Sequence, residues 1–86
     1  MQDNNPRILL IDDEPDILEL MAMTLQPLGF VTDFAGDVNN AQTLLHSNHY
    51  DACLTDLRLP DGSGIDLVRY IQDSFPSTPV AVISAH

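Results

Sequence analysis

Apolar and polar positions alternate along this chain in blocks whose period changes from one block to the next. Ile8-Leu9-Leu10-Ile11 is a continuous apolar run, as expected of a strand buried on both faces. Pro15 then stands where a first helical position should be, with acids around it that complement the helix dipole. Ile17, Met21, Leu25 and Leu28 recur at helical spacing, and Gly29 supplies the stop. Residues 30–34, Phe-Val-Thr-Asp-Phe, read as a second strand, and the charge of Asp33 makes it an edge strand. Val38, Ala41, Leu44 and Leu45 mark a second helix, and Ala52-Cys53-Leu54-Thr55 a short buried strand that ends at Asp56. The Pro60-Asp-Gly-Ser-Gly64 segment is turn-forming by composition. Ile65, Val68 and Ile71 predict a third helix. Pro76 and Pro79 punctuate the approach to a fourth strand, Pro79–Ile83.

The resulting order, β-α-β-α-β-α-β, implies an α/β fold: a parallel sheet covered by helices on both faces. In open sheets of this kind, sites form beyond the carboxyl ends of the strands. Asp12 and Asp13 follow the first strand, Asp56 ends the third and Ser84 follows the fourth, so all four are expected to open onto one edge.

Composition narrows the function classes. With 86 residues the chain holds one domain, and 13 acidic against 3 basic residues give a formal net charge of −10. The basic residues are Arg7, Arg58 and Arg69, and lysine is absent. That balance excludes a nucleic-acid surface, which needs clustered Lys and Arg, and docking on anionic lipid. Hydrophobic residues make up 44%, near the globular norm of roughly 45–50%, so the composition is not that of a disordered chain. A domain this small buries only about 60% of its unfolded surface, which predicts marginal stability. Cys53 is alone, which excludes an internal disulfide and suits a reducing compartment. No apolar run approaches the roughly 20 residues of a membrane helix, and the polar N-terminus lacks a signal-peptide core. The expectation is a soluble, acidic, cytoplasmic domain.

Three carboxylates converging in one crevice repel one another unless a cation offsets them. A hard divalent ion with oxygen ligands, Mg²⁺ first, suits Asp12, Asp13 and Asp56. Such an ion also shields an incoming phosphoryl group, which one carboxylate can attack to form an acyl phosphate. A hydroxyl such as Ser84 can donate a hydrogen bond to the transferred phosphoryl oxygen. Each residue has a plainer reading beside this one. The Asp pair and Asp56 are also ordinary turn and cap residues, and Ser84 a loop hydroxyl. Their conjunction at one sheet edge is what raises the functional reading. His46, His49 and His86 lack metal spacing with a Cys and read as surface residues. Met21 and Met23 read as core and helix-face packing, and Cys53 as a small buried strand residue. Gly62-Ser-Gly64 is too short for a P-loop and lacks its lysine.

Three blocks together resemble the receiver domain of two-component response regulators: Ile8-Leu-Leu-Ile-Asp-Asp-Glu14, Leu54-Thr-Asp-Leu-Arg-Leu-Pro-Asp-Gly-Ser-Gly64 and Val80-Ala-Val-Ile-Ser-Ala-His86. The resemblance implies a flavodoxin-like parallel sheet of order 2-1-3-4 in this chain. It implies that Asp56 is the phosphoacceptor, with Asp13 a direct Mg²⁺ ligand and Asp12 acting largely through water. The backbone carbonyl of Arg58 completes the protein's share of coordination, Asp56 included. Ser84 is the switch hydroxyl, and Pro60 and Gly64 shape the loop after the third strand. The implied phosphodonor is a phosphohistidine on a sensor histidine kinase, with small acyl phosphates as substitutes. The Ser-Ala-His ending looks most like receivers of the nitrogen-regulator type, whose output is transcription.

The pattern departs from the family after Ile83. Receivers continue into a fourth helix, a fifth strand bearing a lysine and a fifth helix, which this sequence does not contain. Residues 1–86 therefore read as an incomplete, C-terminally truncated receiver without the lysine that pairs with the phosphoryl group. The fourth strand then becomes an exposed apolar edge beside an uncovered helix face, which predicts self-association or poor folding. Two other functions compete with the phosphoacceptor. One is a receiver remnant that docks partners without phosphorylation. The other is a Mg²⁺-dependent phosphohydrolase with an Asp nucleophile, weakened because Asp56 lies far from the first strand.

Overall fold

A four-stranded parallel sheet, ordered β2-β1-β3-β6, forms the centre of the computed structural model, which describes residues 5–83. Its strands are β1 (Arg7–Ile11), β2 (Val31–Ala35), β3 (Ala52–Asp56) and β6 (Val80–Ile83). Three helices connect them: α1 (Pro15–Leu25), α2 (Val38–Ser47) and α3 (Gly64–Ser74). Between β3 and α3 lies a small antiparallel hairpin, β4 (Arg58–Leu59) and β5 (Gly62–Ser63). The predicted element order and sheet order are both observed. The expected turn at Pro60–Gly64 is the tip of that hairpin together with the start of α3.

Pleating splits β1 between two apolar layers. Leu9 and Ile11 face α2 and α3, where they join Ala41, Leu45, Cys53, Leu67 and Ile71. Ile8 and Leu10 face α1 and meet Leu18, with Met21, Leu25 and Leu54 at the margin. Leu9, Leu10 and Ile11 are wholly buried; burial on that scale stabilises by about 1.5–3 kcal/mol per side chain. This is the expected signature of a central parallel strand.

Two helical patterns are corrected. The α-helix of α1 stops at Leu25 and continues as a single 3₁₀ turn over Gln26–Leu28. Pro27 is the reason, since it has no N–H for the helical ladder and its ring opposes the carbonyl one turn back. Leu28 is therefore 70% exposed rather than part of the stripe, and Gly29, at φ 98°, closes the turn as expected. In α3 the buried stripe is Gly64, Leu67 and Ile71, not Ile65, Val68 and Ile71. Close packing of Gly64 on the Asp56 backbone rotates the helix and turns Ile65 outward. Met21 packs on the core margin, whereas Met23 is exposed. The second strand runs from Val31, one residue later than expected, and lies at a sheet edge.

The charge on that edge strand is neutralised within the fold. Asp33 Oδ2 accepts from the Tyr50 hydroxyl at 2.6 Å and from Arg7 Nε at 3.0 Å. Arg7 is further held by its own backbone N–H, which donates to Asp51 Oδ2 at 2.7 Å. Tyr50 is among the most buried side chains although it lies in a connecting loop. Among the described residues, β6 has no neighbour on its outer side, and a groove between it and α1 is lined by Leu20, Met21, Thr24, Leu25, Leu54 and Ile83.

Candidate functional site: an acidic cluster at the sheet edge

Sheet register brings the acids together. Ile11 pairs with Thr55, so the next residues along, Asp12 and Asp56, end adjacent parallel strands side by side. Asp12 N–H continues the ladder to the Ala35 carbonyl at 3.0 Å, then the chain turns away at Asp13 into α1. Each of Asp12, Asp13 and Asp56 offers a carboxylate oxygen, and these atoms lie within 4.8 Å of one another. Asp12 is buried, Asp56 half-buried and Asp13 exposed. The cluster thus grades from the sheet interior to solvent, which leaves an open face for a ligand.

The plainer turn readings also hold for two of the three. Asp12 Oδ1 accepts from Glu14 N–H at 2.9 Å and steadies the entry to α1, whose N-cap residue Glu14 makes no side-chain cap of its own. Asp56 Oδ1 accepts from Leu57 N–H at 2.8 Å. These bonds orient the carboxylates and occupy one oxygen of each. They are compatible with a cation, because a carboxylate oxygen has more than one acceptor site. Three oxygens so close, on a hard-donor set without Cys or His, fit a hard divalent ion such as Mg²⁺.

The loop after Asp56 is built to hold its backbone. Thr55, fully buried, donates from its hydroxyl to the Asp56 carbonyl at 3.0 Å. Gly64 N–H donates to the Leu57 carbonyl at 2.8 Å. Arg58, whose carbonyl the family resemblance selects as a ligand, pairs with Ser63 across the hairpin. Ser63 in turn caps α3, accepting from Ile65 N–H at 3.1 Å. Leu59 is buried and anchors the hairpin to the core. Ser84 lies outside the described residues. Sequence reasoning found every acid of the cluster but missed Thr55, Ser63 and the hairpin, whose two-residue strands leave no periodicity to read.

The remaining titratable groups lie elsewhere. Burial raises the Cys53 thiol to about 11, so at neutral pH it is a packed core residue and no nucleophile. His46 is on the surface, as expected, yet its ring is edge-on to Tyr70 and Phe75, and its Nε2 lies 2.6 Å from the Tyr70 hydroxyl. No helix among the described residues is long and apolar enough to cross a membrane.

Comparison with known proteins agrees with the geometry. Residues 8–86 match the model of the response regulator receiver domain. The chain is 52% identical over 80 residues to the response regulator protein PilR of Pseudomonas aeruginosa, covering 93% of this chain and 18% of that protein. It is 36% identical over 85 residues to the alginate biosynthesis transcriptional regulatory protein AlgB of Pseudomonas putida, covering 99% and 19%. Among solved structures, the response regulator TrrA of Thermotoga maritima in complex with Mg²⁺-BeF superposes with a TM-score of 0.89 at 31% identity. That match covers 94% of this chain and 70% of the other. The chain thus spans under a fifth of the length of the two curated relatives.

Proposed function

Because the chain belongs to the response regulator receiver family, we propose that it accepts a phosphoryl group on Asp56 from a phosphohistidine of a sensor histidine kinase, in a Mg²⁺-dependent reaction. The convergence of Asp12, Asp13 and Asp56 within 4.8 Å carries this reading. Asp13, Asp56 and the Arg58 carbonyl would hold the ion directly and Asp12 largely through water. Bound there, the ion supplies charge neutralisation to the carboxylates and to the incoming phosphoryl group.

An Asp56 carboxylate oxygen attacks phosphorus in line with the departing imidazole nitrogen. A P–O bond forms as the P–N bond breaks, and the bonding pair returns to the imidazole. Leu57 N–H holds Oδ1, which orients the second oxygen for attack. The Ser84 hydroxyl then donates to a transferred phosphoryl oxygen. Receivers are signalling domains rather than turnover enzymes, so the aspartyl phosphate is itself the product, and the phosphohydrolase reading falls away. The name of AlgB, a transcriptional regulatory protein, supports an output in transcription, carried by a part of the protein beyond this segment and located in the cytoplasm.

One observation favours a second reading, a receiver that docks partners without phosphorylation. The chain has no lysine to pair with a phosphoryl group. Intact mass after incubation with a small acyl phosphate separates the two. The phosphoacceptor gains one phosphoryl group only with Mg²⁺, and Asp56→Asn gains none. No gain in the parent chain, together with partner binding indifferent to Asp56→Asn, would establish the docking module instead.

The outer side of β6, with exposed Val82 and the groove beside Leu20 and Ile83, also supports self-association through that edge. Sedimentation velocity is expected to show dimers growing with concentration and reduced by Val82→Lys. A monomer at every concentration would refute this.

A further inference from the structure

We infer that Asp61 is a positioning residue for the acidic site, acting by clamping the loop that carries Asp56 and the Arg58 carbonyl to the N-terminus of α2; the inference rests on the phosphoacceptor reading. Asp61 stands at the tip of the hairpin between β4 and β5. Its Oδ1 accepts from Val38 N–H at 2.7 Å and its Oδ2 from Asn39 N–H at 3.0 Å. These backbone bonds, Val38 foremost, hold its carboxyl below the usual carboxylate range, so it is ionised at neutral pH.

Helix stability alone does not call for this contact. α2 already has an N-cap on its own chain, Asp37, which accepts from Asn40 N–H at 2.7 Å. Asp61 takes the two remaining first-turn donors from a position more than 20 residues away. The bond therefore ties two segments together. Close approach of Gly62 to Val38, where a Cβ would come within 3.1 Å of Val38 Cγ2, shows how near the hairpin tip sits to the helix.

Leverage follows from where the loop is held. On its α3 side the Gly64 N–H fixes the Leu57 carbonyl, and in the middle Leu59 is buried. The tip is held by Asp61. Without that clamp the hairpin can pivot about Leu59, and Arg58, adjacent to Leu59 in β4, moves with it. A carbonyl displaced by even a fraction of an ångström is a poorer ligand for an ion that demands near-ideal octahedral geometry. Linkage runs both ways, so ion binding that orders the loop also orders the first turn of α2.

The test compares Asp61→Ala with Asp37→Ala, since both remove an α2 cap but only the first cuts the clamp. Mg²⁺ affinity is read from amide chemical shifts, phosphorylation by an acyl phosphate from intact mass, and exchange of the Val38 and Asn39 amides with and without Mg²⁺. Asp61→Ala is expected to weaken Mg²⁺ binding and slow phosphorylation by about tenfold or more, as outer-shell substitutions do. Mg²⁺-dependent protection of the Val38 and Asn39 amides should vanish. Asp61→Asn, which keeps one acceptor oxygen, should fall between, and Asp37→Ala should lose stability without losing Mg²⁺ affinity. Equal effects of the two alanine variants on Mg²⁺ affinity, or no effect of Asp61→Ala, would overturn the clamp while the phosphoacceptor reading stands. A parent chain that binds no Mg²⁺ would overturn both.

Discussion

Replacing Gly64 with alanine is expected to destabilise the protein by about 3 kcal/mol or more and to displace Asp56. Gly64 opens α3 and is buried, with its N–H on the Leu57 carbonyl. A Cβ built there overlaps the Asp56 carbonyl oxygen and comes within 3.0 Å of the Leu57 Cα. Both obstacles are backbone, so no side-chain rotation relieves them. Either α3 lifts from the sheet, exposing Leu67 and Ile71, or the Asp56–Leu57 peptide moves and takes the candidate nucleophile with it. Urea unfolding gives the first quantity, and phosphorylation by a small acyl phosphate gives the second. Gly36 is the matched control: a Cβ there meets nothing within 4 Å, and Gly36→Ala should stay within about 0.5 kcal/mol of the parent. Parent-like stability in Gly64→Ala would show that the loop is not packed as described.

Truncating Tyr50 to alanine should cost about 3–5 kcal/mol, the range for large aromatic cores. The ring is 1% exposed among the residues between α2 and the sheet. Tyr50→Phe isolates the hydroxyl and should cost about 1 kcal/mol, the net worth of one hydrogen bond. That smaller difference carries a pH signature. Burial pushes the Asp33 carboxyl up, but the Tyr50 hydroxyl and the Arg7 guanidinium together outweigh it and hold the group below its ordinary 3.8. A depressed carboxylate contributes stability above its unfolded value, lost as pH falls through the folded one. Burial, then the hydrogen bond to Asp33, raises the Tyr50 hydroxyl above its ordinary 10.0. A raised group contributes fully below its unfolded value and loses that contribution as pH rises through the folded one. The gap between parent and Tyr50→Phe should thus be flat from about pH 4 to pH 10 and narrow on the acid side. A gap unchanged down to pH 2 would mean that Asp33 is not the partner in solution.

The acids of the site were legible in the sequence because strand ends are legible. Ile8–Ile11 and Ala52–Thr55 are unbroken apolar runs, and a parallel sheet puts whatever follows them at one edge. Once both runs are strands of the same sheet, Asp12, Asp13 and Asp56 have nowhere else to converge. The α2 stripe of Val38, Ala41, Leu44 and Leu45 was legible for the same reason, since its helical period is undisturbed. α1 and α3 were read less well at the ends where a backbone event, Pro27 in one and the Gly64 contact in the other, overrides periodicity.

By itself, then, the amino-acid order determined the βα alternation, the parallel sheet and the edge at which its carboxylates meet, because hydrophobic period and punctuation are local properties. Only the tertiary structure decided what restrains that edge. Asp61 on the α2 amides, Tyr50 and Arg7 on Asp33, and Gly64 against Asp56 link residues from 8 to 26 positions or more apart, in pairs that no local pattern encodes. Such contacts come from the register of strands and the closeness of packed backbones, and these exist only once the chain has folded.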